Sequence, residues 1–163
     1  MLYACLLSTK SFLDHTLEQP ETNFLGYSLV NCSQIGHALS TIIKLSFVEE
    51  EGWNLPNVRE TINLQSYFNQ FILNFERAGE TLDKMQQTPC KPSFHTGCSR
   101  AMRRVLMACE TKIAAESEPV GFQGQHGYTH LDDPLMDLPY GQFEDAYWDA
   151  IISDLRNDGA AAC

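Results

Sequence analysis

Cysteine and histidine crowd together once in this sequence, at Cys90-x4-His95-x2-Cys98. Two thiols and an imidazole are ordinary zinc ligands, but a closed structural site takes four. His126 or His130 would have to supply the missing one from across the chain. Spacing of this kind also occurs in loops that bind nothing. Cys90, His95 and Cys98 therefore stand as weak metal candidates, and no metal or cofactor is expected in this chain. His126-x3-His130-x-Asp132 would share one face of a helix, yet Gly121, Gly124 and Gly127 surround it. Glycine disfavours helix, so a solvated loop is expected there. Those glycines do not match the dinucleotide fingerprint, and no P-loop, nucleophile elbow or zincin motif occurs. His15 and His37 fall in helical stretches without a nucleophile in sequence range, and His37, beside Ala38 and Leu39, is expected to be hydrogen-bonded and partly buried. The chain is read as having no catalytic residues and as not being an enzyme.

A different chemistry is concentrated near the carboxyl end. Between Tyr128 and Asp158 lie eight acids and one base, so this stretch carries −7 of a total charge of −10. Leu131, Leu135, Met136, Leu138 and Tyr140 are interspersed, followed by Phe143, Tyr147, Trp148, Ile151, Ile152 and Leu155 at helical spacing. Acidic-hydrophobic mixing is the composition of amphipathic activation segments. The acids keep large apolar side chains solvated until a partner's groove buries them as one helix face. About 14 residues are marginal as an isolated helix in water, so folding on binding is expected. The same stripe would serve equally well to pack on the rest of the chain and complete its core.

The elements that would carry these groups are helical almost throughout. Leu2, Leu6, Thr9, Leu13 and Leu17 mark one face of a first helix, closed by Pro20. A second helix is predicted from about Phe24 to Phe47, with Leu25, Leu29, Cys32, Ile35, Leu39, Ile42, Ile43 and Phe47 as its stripe. Val30, Ala38 and Leu45 widen it, so burial on more than one side is expected. Glu49-Glu50-Glu51-Gly52 ends that helix. Pro56 suits the first turn of a short one, with Asn57 and Glu60 at capping-box spacing. Asn63 is the predicted cap of a long helix that turns Leu64, Phe68, Phe71, Ile72, Phe75 and Leu82 inward. Residues 86–97, with two prolines and a glycine, read as a loop. Ser99 is the expected cap of the next helix, which turns Met102, Val105, Leu106, Cys109 and Ile113 inward. The fold class is all-α: a bundle of four to five helices over 1–116, a flexible linker over 117–142, and a short amphipathic helix over 143–156.

Composition sets the outer bounds. The chain of 163 residues is 44% apolar and 20% charged, which is globular, with a pI near 4.8. A chain this acidic is repelled by phosphate backbones and should not bind DNA or RNA unaided. It has neither the basic face that anionic lipid attracts nor an apolar run of about 20 residues. The apolar start Met1–Leu7 lacks a preceding positive charge, so a secretory reading fails. Cys5, Cys32 and Cys109 sit on predicted apolar faces, where a free thiol acts as a small hydrophobe. A reducing intracellular setting without a disulfide framework is expected.

Gln34-Ile35-Gly36-His37-Ala38-Leu39, then Lys44-Leu45-Ser46, then Glu51-Gly52-Trp53-Asn54-Leu55, then Val58-Arg59-x2-Ile62-Asn63-Leu64 resembles the C-terminal half of the regulatory domain in fungal zinc-binuclear-cluster transcription factors. Arg100–Val105 with Cys109–Ile113 resembles that family's later helix, and Phe143–Trp148 its acidic, Trp-bearing end. The resemblance covers roughly 1–116 and 143–156. It implies a nuclear, all-helical regulatory domain that recruits a transcriptional coactivator. The family's zinc-bound DNA reader, C-x2-C-x6-C repeated, has no counterpart in these residues, so zinc and DNA contact belong to the missing part of the parent family. A fragment, a truncated product or a member without its DNA-binding end is expected. A bundle of this kind would expose apolar sides, and self-association is expected. The other reading is a helical domain holding a small apolar ligand or a protein partner, with Phe68, Phe71, Phe75, Leu39 and Ile43 supplying the interior.

Overall fold

The computed structural model describes residues 1–85 and 93–117, with side chains to residue 114. Cys90 and residues 118–163, including His126, His130 and the stripe Phe143, Tyr147, Trp148, Ile151, Ile152 and Leu155, lie outside the described residues. Six helices and no strand occur among those described: α1 Leu2–Leu17, α2 Glu21–Phe24, α3 Leu29–Leu45, α4 Leu55–Thr61, α5 Leu64–Met85 and α6 Phe94–Ser117. The fold is all-α, a helical bundle.

The stripe on α1 does what its spacing dictates, burying Leu6, Leu13 and Thr16 and half-burying Leu2 and Leu17. Cys5 lies off that face and is exposed, contrary to the expectation. The long second helix is interrupted. Phe24 belongs to the single turn α2, which starts directly after Pro20, and its ring is wholly buried against Tyr27, Phe71 and Phe75. Helix α3 begins afresh at Leu29, where the Asn31 side chain accepts the Ser28 backbone N–H at 2.9 Å. Leu29 and Val30 in its first turn are exposed rather than part of the stripe. From Cys32 onward α3 is buried on several faces, as predicted, with the small residues Gly36, Ala38 and Ser40 among its buried positions. His37 falls on the remaining outward face and is exposed, not partly buried.

The residues that carried the family resemblance after α3 prove to be a capping device. A helix end leaves backbone carbonyls without partners. The Trp53 indole N–H donates to the Leu45 carbonyl at 3.0 Å, and Arg59 Nε donates to the Ser46 carbonyl at 2.9 Å. Gly52 makes the return possible, since its φ of 82° is a region that side chains resist. The cap of α4 is Asn54, which accepts the Asn57 N–H at 3.1 Å, so the Asn57–Glu60 assignment was one turn late. Asn63 caps α5 as expected, taking the Ser66 N–H at 2.9 Å.

Helices α5 and α6 form an antiparallel pair. Gln65 meets Glu110 near one end, Arg103 pairs with Glu76 midway, and Ser93 N–H donates to Asp83 at the other. Helix α6 starts at Phe94, inside the stretch read as a loop, and Ser99 is buried within it, donating to the Thr96 carbonyl. Ser93 stands in the capping place, accepting the Thr96 N–H at 3.4 Å. The pair closes tightly at Gly79, where a Cβ would lie 2.5 Å from Thr96 Oγ1. Phe68, Phe71 and Phe75 of α5, with Leu39 and Ile43 of α3, fill the centre of the bundle, so these side chains form a packed core.

Candidate interaction site

The structure places two of the three metal candidates in the core and gives both of them protein partners. His95 and Cys98 are one helical turn apart near the start of α6. His95 is 6% exposed, with its ring against Phe75 and Phe94, and its Nε2 lies 2.8 Å from the Phe24 carbonyl. A carbonyl only accepts, so Nε2 carries the proton and joins α6 to α2. Burial draws the imidazole below its ordinary value, against the opposing pull of the Phe24 carbonyl and Asp83. Cys98 is buried beside Cys32 of α3, and the neighbouring thiol together with burial pushes its own thiol strongly upward. Cys98 lies in a core contact, and no group of three potential ligands gathers among the described residues.

A second polar cluster joins α1 to α5. Lys10 Nζ lies 2.7 Å from Asp14 Oδ2, and the Tyr67 hydroxyl donates to Asp14 Oδ1. Burial raises the Asp14 carboxyl, but the bonds from Lys10 and Tyr67 outweigh it and the net shift is downward. Bonding to Asp14 raises Lys10, while burial and then Asp14 raise Tyr67. An ionised acid, a charged amine and a protonated phenol in mutual contact are already satisfied. None of them is drawn toward neutral pH, where acid–base catalysis operates. The cluster borders a shallow polar cleft of about 440 Å³ shared with Glu18 and Glu60.

An apolar groove of about 500 Å³ lies between the α4–α5 junction and the last turns of α6. Ile62 and Leu64 form one wall, Leu106, Cys109, Ile113 and Ala114 the other. Burial pushes the Cys109 thiol up to about 12, so it contributes apolar surface and not a nucleophile. Along the rim, Gln65 Nε2 donates to Glu110 at 2.9 Å. At the α3 end, Arg59 and Lys112 stand over the Phe47 ring, 5.1 and 4.7 Å from its centre. The sequence contained each of these residues, but no local pattern announces a groove built from three helices. Trp53 and Arg59 were visible within the resemblance, though not their capping role.

Among the described residues the chain is a packed all-helical bundle with an apolar groove. The chain belongs to the family described as ATEG07667_C, C-terminal domain, whose family model matches residues 21–154. It is also similar to "Transcription factor opdL" of Penicillium oxalicum (strain 114-2 / CGMCC 5302), with 26% identity over 81 residues, which is 50% of this chain and 14% of that protein. No solved structure matches. The chain is a fungal transcription-factor-related domain, and its match spans about a seventh of that curated relative.

Proposed function

We propose that this chain is a non-catalytic regulatory and activation module of a fungal transcription regulator, working in the nucleus. The observation that carries the reading is its membership in a transcription-factor-associated family. Sequence-specific DNA contact is assigned elsewhere, because the zinc-cluster spacing is absent from these 163 residues and their net charge is −10. Coactivator recruitment is assigned to the acidic segment, with Phe143, Tyr147, Trp148, Ile151, Ile152 and Leu155 as the docking face. Fused to a foreign DNA-binding domain, residues 128–158 should switch on a reporter, and alanine at Phe143, Tyr147 and Trp148 should abolish the output. Reporter activity untouched by the triple replacement would refute the assignment.

Exposed Tyr3 and Leu7 on α1, with Leu29 and Val30 on α3, support the proposal that the chain also self-associates, since large apolar side chains on a surface seek cover. Sedimentation that stays monomeric across concentration would remove it. The groove favours a second reading, binding of a small apolar ligand, and its volume falls in the range of such sites. A thermal-shift screen with apolar compounds tests that directly, and an absence of stabilising compounds counts against it.

A further inference from the structure

We draw no further inference here: the strongest candidate, the surface patch on the first turns of α1 where Tyr3 and Leu7 are exposed, carries nothing beyond the self-association already proposed, since nothing in the structure shows what covers it.

Discussion

The two ends of α6 are built on opposite principles. At the amino end, Gly79 admits Thr96 at a distance a side chain would forbid, His95 reaches across to the Phe24 carbonyl, and Cys98 sits against Cys32. Polar groups there are buried and satisfied, and packing leaves no surface to offer. At the carboxyl end, Leu106, Cys109, Ile113 and Ala114 line a groove with open space beside it. One helix is thus structural at one end and available at the other. Glycine and imidazole close the helix pair at one end, and at the other Ile113 and Ala114 border a groove that Leu106 and Cys109 floor from the core.

Replacing a ring at the closed end should break this contrast most severely. Phe75 is fully buried and touches both Phe24 and His95, so Phe75→Ala should cost about 3–5 kcal/mol, read as a lowered urea midpoint. The next effect in size is at Gly79. Helix propensity alone favours alanine by about 1 kcal/mol. Overpacking against Thr96 costs about 1–3 kcal/mol and should win. Gly79→Ala should therefore destabilise the chain, and less so in a Thr96→Ala background, which a double-mutant cycle would reveal.

His95 sharpens the comparison through pH. Its pKa is lowered in the folded state, so the unfolded chain takes up the proton first as pH falls. Stability from this group is complete above its unfolded value of about 6.5 and is lost as pH drops from there toward the folded pKa. Urea midpoints at pH 7.5 and 5.5 should differ more for the wild type than for His95→Gln. The smallest effect belongs to the open end. Ala114→Arg should change bundle stability by no more than about 0.5 kcal/mol, because that side chain is exposed. A large loss would show that the groove's lip is itself part of the core.

Much of the helix inventory was legible because an amphipathic face repeats every three or four residues. The stripe Leu64, Phe68, Phe71, Ile72, Phe75 and its Asn63 cap follow from spacing and one hydrogen bond. The break between α2 and α3 was not legible. Phe24 and Leu29 both suit a helical stripe, and what divides them is a cap between Ser28 and Asn31 that departs from the usual Ser-x-x-Glu pattern. The start of α6 was misplaced because Ser99 looks like a cap in isolation. Asp83 on the preceding helix supports Ser93 instead, and only the folded pair brings them together.

Composition and order alone determined that the chain is helical and acidic, because periodicity and net charge are properties of the linear string. Tertiary structure decided which polar residues are spent. His95 and Cys98, weak metal candidates by type and spacing, lie in core contacts, while Trp53 and Arg59 close α3. It also decided where apolar surface remains, since a groove exists only once Ile62, Leu64 and Ile113, drawn from distant stretches, are set side by side. Burial and partnership depend on contacts between separate elements, and no local window of sequence contains them.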